Sequence, residues 1–268
     1  MGVSSPGMAR LVKRPRLPQV LAFCAEDPIE RVFLEDVARR GLGRFAGMRE
    51  ARRLTALLHL GANLVPSGPG CAAFAELVAK GDPRMVVGEE DAVTELWDVV
   101  RHAFPEPLDD RPGQPVYVLE RPPREGRSGL RAATLDDLDV LVAAAAAAYR
   151  EEVGVDAYAR DPALFEWRTR AQVEEGRSWL WMEDGRILFK AEASAWTPDA
   201  VQLQQVWVDP ELRGQGYGTR GLSDLCRLLL EATPAVCLFV RPENAAAIAL
   251  YDTVGMRRTI TYRSLIFA

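Results

Sequence analysis

The sequence predicts an α/β (α+β) fold in two tandem domains, and three observations predict it. The chain of 268 residues is long for one domain and comfortable for two of about 130 residues each. A stretch near the middle, Arg121-Pro122-Pro123-Arg124-Glu125-Gly126-Arg127-Ser128-Gly129, gathers Pro, Gly and charge without any hydrophobic period and marks a linker. After it, strand-like and helix-like segments follow in the order β-α-α-β-β-β-α-β-α-β, and the first half repeats part of that order. With 48% hydrophobic and 26% charged residues, each half can bury a core.

Taken in order, residues 1–18 are basic, Pro-containing and aperiodic, and read as a flexible tail. The apolar stretch behind them, Val20–Ala25, is too short for the core of a signal peptide. No run approaches a membrane span, so a cytoplasmic location and no membrane partner are expected. Residues 19–122 form the first domain. Arg53–Pro66 is strand-rich, Ser67-Gly68-Pro69-Gly70 is a turn and Cys71–Lys80 a helix. Arg84–Val87 is the next strand, Gly88-Glu89-Glu90-Asp91-Ala92 opens a second helix, and Val116–Glu120 closes the unit.

Residues 123–129 are the linker and 130–268 the second domain. Leu130–Ala132 is a short strand. Thr134 offers an N-cap oxygen with Asp137 three residues on, a near capping box, ahead of a helix from Asp136 to about Val153. Its run Ala143–Ala148 has the strongest helix propensity. A helix over Pro162–Glu175 accepts proline in its first turn. Ser178–Met182 and Arg186–Ala195 pair as a hairpin because Asp184-Gly185 is a two-residue turn signal. Val201–Val208 is a strand, Thr219–Ala232 a helix, Val236–Val240 a strand, Asn244–Thr253 a helix and Thr259–Phe267 the final strand.

Charge and cysteine usage narrow the function. The net charge of −5 argues against a dedicated nucleic-acid binder, which shows a basic surplus. Residues 134–175 hold ten acids against four arginines, a net of −6. They read as a solvated helix face or as an acidic rim that attracts a cationic amine. Cys24, Cys71, Cys226 and Cys237 form no Cys-x-x-Cys pair, and His59 and His102 supply no metal-like spacing. Reduced buried thiols and no metal are expected. His59 reads as a core histidine or, alternatively, a catalyst. Trp167, Trp179, Trp181, Trp196 and Trp207 read as core or hairpin packing, with Trp196 also a candidate substrate wall.

The most informative stretch is Val206-Trp207-Val208-Asp209-Pro210-Glu211-Leu212-Arg213-Gly214-Gln215-Gly216-Tyr217-Gly218-Thr219. An apolar strand runs into alternate glycines and then at once into an amphipathic helix. Glycine lets the backbone curl and approach a ligand closely. The first helical N–H groups lack intrahelical partners and carry the positive end of the dipole, so together they form a diphosphate site. A Rossmann loop would open its domain's first β-α unit, whereas this one follows several strands.

Here the sequence resembles the GNAT superfamily of N-acetyltransferases. Arg213, Gly216 and Gly218 match the family's pyrophosphate motif, and Val206, Val208 and Pro210 match its lead-in. Downstream, Asn244, Ala247, Tyr251 and Gly255 match a second family segment, with Met256 where phenylalanine is usual. The resemblance covers roughly residues 128–268 and implies a mixed, mostly antiparallel sheet flanked by helices, with acetyl-CoA as co-substrate. It implies that backbone amides around Arg213, Gly214, Gln215, Gly216, Tyr217, Gly218 and Thr219 hold the diphosphate. Main-chain groups of Val206 and Val208 would pair with pantetheine, Asn244 would bond the cofactor, and Tyr251 would protonate the departing thiolate. Packing on the sheet is the structural alternative for Tyr251. The general base is less clear, because Val201-Gln202-Leu203-Gln204-Gln205 carries amides where many relatives carry glutamate. Glu192 on the preceding strand, or an ordered water, would serve; pairing with a cation at a strand edge is the structural alternative for Glu192.

The first domain then reads as a degenerate GNAT-like copy, the tandem arrangement resembling actinobacterial-type proteins of this kind; an unrelated α/β domain is the alternative. Its loop has two glycines and a proline, no arginine precedes them, and Asp98 stands where Tyr251 aligns. The expected activity is transfer of acetyl from acetyl-CoA to a primary amine, on a small molecule or peptide, by direct attack in a ternary complex. A sensor or scaffold that binds acyl-CoA without turnover is the other class. Aminoacyl transfer from charged tRNA is disfavoured by the intact loop and the acidic charge.

Overall fold

A computed structural model describes residues 9–79, 81–154 and 156–267. In chain order its elements are β1 (Arg10–Val12), α1 (Leu17–Cys24), α2 (Val32–Arg39), β2 (Arg44–Glu50), β3 (Arg53–Leu60), β4 (Asn63–Ser67), α3 (Ala75–Val78), β5 (Met85–Glu89), α4 (Glu90–Val100), β6 (Asp109–Leu119), β7 (Leu130–Ala132), α5 (Leu138–Val153), α6 (Ala157–Arg160), α7 (Pro162–Glu174), β8 (Ser178–Glu183), β9 (Arg186–Trp196), β10 (Val201–Val208), α8 (Tyr217–Leu230), β11 (Val236–Phe239), α9 (Ala245–Val254) and β12 (Arg257–Ile266). The order β-α-α-β-β-β-α-β-α-β thus occurs twice, with α6 inserted in the second copy. The expected flexible tail is corrected here. Residues 1–8 lie outside the described ones, but Arg10–Val12 pairs with Met48 and its neighbours on β2, and α1 begins at Leu17.

The chain divides into two compact units that are not its two halves. The first holds residues 1–117, 239–244 and 258–268; the second holds 118–238 and 245–257. A boundary at 123–129 therefore misassigns β12, which pairs antiparallel with β5 from Tyr262↔Glu89 to Ile266↔Met85. The strand closing the second repeat completes the first unit's sheet. Hydrophobic alternation identifies such a strand but carries no information about which sheet receives it.

In the first unit the sheet runs β1-β2-β3-β4-β5-β12-β6, with β4 and β5 parallel. Both faces of β3 are covered. Leu54 and Leu57 pack with Val20, Phe23 and Leu34 from α1 and α2, while Ala56 and Leu58 pack with Phe74, Val93 and Leu96 from the α3–α4 side. The expected helix Cys71–Lys80 is a 3₁₀ turn over Cys71–Phe74 followed by α3, and Lys80 lies outside the described residues. His59 is a core residue. Its Nδ1 lies 3.2 Å from the Asn63 carbonyl oxygen, its ring meets Phe33 edge-on, and burial lowers its pKa.

In the second unit the sheet runs β7-β8-β9-β10-β11, antiparallel except for β10 with β11. Asp184 and Gly185 have φ of 48° and 77°, the left-handed pair that a two-residue hairpin turn requires. Leu141 and Ala144 of α5 and Val173 of α7 pack on Leu180 and Ile187. Trp167 departs from expectation, standing 64% exposed on α7. The four cysteines are buried and unpaired, and burial pushes each thiol up to about 12.

The Pro/Gly-rich stretch is not a free linker. The Asp224 carboxylate on α8 accepts from Gly126 N at 2.7 Å, Ser128 N at 2.7 Å and Ser128 Oγ at 2.6 Å. Arg220 donates to the Gly126 and Arg127 carbonyls and Arg227 to that of Pro123. A Cβ on Gly126 would stand 2.0 Å from the Arg220 carbonyl oxygen, so only glycine fits. Composition reports missing hydrophobic burial; it does not report hydrogen bonds to a distant helix.

Burial raises the Asp224 pKa, but the hydrogen bonds from Ser128 and Gly126 outweigh it and hold the carboxyl below its usual value. A depressed folded-state pKa contributes stability that is present above the unfolded pKa near ~4 and is lost as pH falls through the folded value. Asp224→Ala is therefore expected to cost about 1–3 kcal/mol at pH 7 and noticeably less at pH 3. Urea midpoints at the two pH values check this, and an equal cost at both would contradict the ionised staple.

Candidate functional site

The site is built where β10 outruns its neighbour. β10 pairs in parallel with β11 at Val201↔Val236 and Gln202↔Cys237. Since β11 ends at Phe239, the Gln205–Val208 part of β10 extends beyond its registered length. The residues from Gln204 to Val208 are only half-buried. On the other side, the pairing with β9 jumps from Gln204↔Glu192 to Trp207↔Lys190. Two residues of β10, Gln205 and Val206, thus face one residue of β9, a β-bulge. Gln205 takes a φ of 48°, uncommon for a residue with a side chain.

Beyond Val208 the chain is pinned before it curls. Asp209 accepts from Arg186 at 2.6 and 2.7 Å and caps Glu211 N at 3.0 Å, while Arg186 also reaches Glu211 at 2.6 Å. The Arg186 guanidinium holds the Asp209 carboxyl below its usual range. Gly214 and Gly216 then adopt φ of 74° and 86°, and a Cβ on either would meet nothing within 4 Å. Open space, not crowding, lies over these two glycines. Gly216 is the N-cap of α8, whose first i→i−4 bond is Arg220 N to Gly216 O at 3.0 Å. The amides of Tyr217, Gly218 and Thr219 occupy its N-terminal turn, where the backbone has no intrahelical acceptor and the dipole is positive.

The other glycines of the helix do different work. A Cβ on Gly218 would lie 3.2 Å from Val208 and 3.3 Å from Leu250, and one on Gly221 would lie 2.5 Å from the Phe189 ring. They let α8 lie close on β9, β10 and α9. Tyr217 packs at a tilt against Trp181, ring centroids 5.0 Å apart, and Arg220 sits over the same indole.

The remaining predicted residues divide into two groups. Tyr251 is buried on α9, in the unit that holds the loop, whereas Asn244, in the turn before that helix, belongs to the first unit. Glu192 takes its structural alternative, pairing with a cation. It is buried and receives the Lys190 ammonium at 2.8 Å and Gln204 Nε2 at 3.3 Å, so its carboxylate is engaged as a counter-ion. Lys190, fully buried, and the Asp209–Arg186 clamp escaped sequence reasoning. The alternation of β9 was the one available signal, since Lys190 stands among apolar neighbours.

Arg213 donates to the Val208 carbonyl at 3.2 Å and to Glu151 at 2.5 Å, and Trp207 Nε1 lies 3.4 Å from the same carboxylate. Other acids of the −6 segment also have partners within the chain: Asp137 with Arg131, Asp156 with Arg150 and Glu175 with Arg177. These pairings favour the solvated-face reading of that segment over an acidic rim. Among the described residues no group of three or more His, Cys, Asp or Glu is placed to hold a metal ion, and no helix is long and apolar enough to cross a membrane.

The corresponding loop of the first unit is closed. Gly70 N and Cys71 N donate to the Glu95 carboxylate of α4 at 2.7 and 2.9 Å. A Cβ on Gly68 would sit 2.5 Å from the Thr55 carbonyl oxygen. Amides whose counterparts border open space in the second unit here meet a carboxylate of the chain itself.

Gly221→Ala is expected to lower stability by about 1–3 kcal/mol, because Phe189 must shift or α8 must lift. A denaturation midpoint equal to wild type would contradict the close packing of α8.

Comparison with known proteins gives two family matches: residues 43–141 match a domain of unknown function (DUF4081), and residues 139–256 match the acetyltransferase (GNAT) family. No curated protein matches the chain. Solved structures with the same fold include a GNAT-family acetyltransferase from Colwellia psychrerythraea, 11% identical, covering 97% of this chain and 100% of its own, with a TM-score of 0.58. A GCN5-related N-acetyltransferase from Sphaerobacter thermophilus is 18% identical over 96% of this chain and 94% of its own, at 0.57. A tandem GNAT protein from the clavulanic acid biosynthesis pathway is 13% identical over 97% and 98%, at 0.56.

Proposed function

We propose that this chain, whose C-terminal part carries a GNAT-family domain behind a DUF4081 region, transfers acetyl from acetyl-CoA to a primary amine. The observation that carries the proposal is the pair of open, left-handed glycines at the N-terminus of α8, beside the end of β10 that outruns β11. A diphosphate fits there, against the amides of Gln215 to Thr219 and the positive end of the helix. Arg213 would turn from Glu151 to the phosphates. The peptide groups of Val206 and Val208 would extend the sheet with the pantetheine amides.

In this mechanism the amine nitrogen attacks the thioester carbonyl carbon directly, in a ternary complex. The C–S bond breaks, and Tyr251 gives its phenolic proton to the leaving thiolate. A phenol with a pKa near ~10 is matched to that task. The proton released by the amine passes to water, because Glu192 is already bound to Lys190, and water returns a proton to the Tyr251 phenolate. The acceptor is a primary amine on a small molecule or a peptide. Closure of the first unit's loop by Glu95 supports a single competent site. The engagement of Glu192 also favours a second reading, a sensor that binds acyl-CoA without turnover.

Release of free thiol from acetyl-CoA against a library of amines separates the two: transfer gives amine-dependent thiol, and a sensor gives none. Tyr251→Phe is expected to keep CoA affinity and lower turnover by about 10²–10⁴-fold; an unchanged rate would mean that another group protonates the thiolate. Gly216→Val is expected to lose CoA binding, since its side chain would fill the open space and its branched Cβ strains the left-handed backbone at φ 86°; a melting curve separates this loss from unfolding. Wild-type affinity in that variant would remove the loop from the account.

A further inference from the structure

We propose that Lys190 is a positioning residue which, through Gln205, locks the β-bulge that aims β10 at the acyl-CoA. The inference rests on the acyl-transfer reading for its purpose and on independent geometry for its existence. Lys190 has no exposed surface, and a buried ammonium is tolerated only when paired and hydrogen-bonded. Its Nζ donates to Glu192 Oε1 at 2.8 Å and to Gln205 Oε1 at 2.9 Å. Glu192 Oε2 in turn accepts from Gln204 Nε2 at 3.3 Å. The residue before the bulge, Gln204, and the first bulge residue, Gln205, are thereby tied to one buried ion pair.

What the lock holds is a strained backbone. Gln205 has a φ of 48°, a conformation that disfavours side chains and persists where the surroundings impose it. The Lys190 bond is such an imposition. The bulge adds one residue to β10 between Gln204 and Trp207 and so shifts the phase of the strand. That shift decides which peptide groups from Val206 to Val208 turn to β9 and which to the open side. A different phase would present the pantetheine with the wrong groups. Lys190 is fully enclosed and acts through its bond to Gln205.

The test starts with the ligand-free protein, so that it decides the lock whether or not acetyl transfer holds. In Lys190→Met/Glu192→Gln a buried ion pair gives way to neutral groups of similar size, an exchange that is often neutral or stabilising. Its melting temperature is expected to match wild type. Amide hydrogen exchange at Val206, Trp207 and Val208 is expected to accelerate by about tenfold or more, while the buried turns of α8 stay unchanged. Gln205→Asn tolerates the left-handed backbone but is one methylene too short to reach Nζ, and is expected to behave likewise; it carries the test if the double variant fails to fold. Gln205→Glu keeps an acceptor on the ammonium and is expected to retain slow exchange.

Unchanged exchange in both the double variant and Gln205→Asn would overturn the proposal. In thiol-release assays the loosened variants are expected to raise the acetyl-CoA KM and lower kcat at wild-type stability. Faster exchange with wild-type kcat and KM would also overturn it, leaving the network purely structural. Wild-type protein that neither binds CoA nor releases thiol would refute the acyl-transfer reading instead, a result distinct from either.

Discussion

The close seating of α8 on its sheet is the contact on which the second unit depends. Gly221 faces the Phe189 ring at a distance that leaves no room for a side chain, and Gly218 sits in tight contact between Val208 and Leu250. With the helix that near, its N-terminal turn stands at the end of β10, and two left-handed glycines bring the chain from strand to helix without covering the amides. Asp209, clamped by Arg186, fixes where the strand stops. A helix lifted by even one methylene would separate the dipole's positive end from the strand edge that completes the site.

The duplicated order of elements lets the two units act as controls for each other. Each runs three antiparallel strands into a loop and then a helix leading to a parallel neighbour. Gly70, like Gly214 and Gly216, has open space over its Cβ position, but in the first unit Glu95 takes the amides of Gly70 and Cys71. The same backbone device, offered an internal carboxylate, becomes a structural staple. Arg213 and Glu151 form a milder version in the second unit: an exposed pair of this kind is worth little in stability, so a diphosphate can displace it.

Much of this was legible in the residues because the signals were local. The turn at Asp184-Gly185, the strand Val201–Val208 and the capping box of Thr134 with Asp137, whose carboxylate accepts from Thr134 N at 2.8 Å, each depend on neighbours a few positions away. The glycine loop was legible for the same reason. What escaped depends on residues far apart in sequence. β12 entering the first sheet, Asp224 holding Gly126 and Ser128, and Lys190 reaching Gln205 leave no periodic trace. The first repeat's β1, α1 and α2 were hidden by shortness, since three residues of strand and helices of eight give too little pattern to count. Glu192 was correctly placed on β9, but its partner was invisible until the strands were paired.

The central claim is that one unit carries an open diphosphate-binding loop and the other a closed one. Titration calorimetry with acetyl-CoA tests it most directly, by stoichiometry instead of rate. The account predicts one site per chain, lost when Gly214 and Gly216 are both replaced by valine and unaffected by Glu95→Gln. Two equivalent sites per chain, or one site that survives the loop replacements, would contradict it.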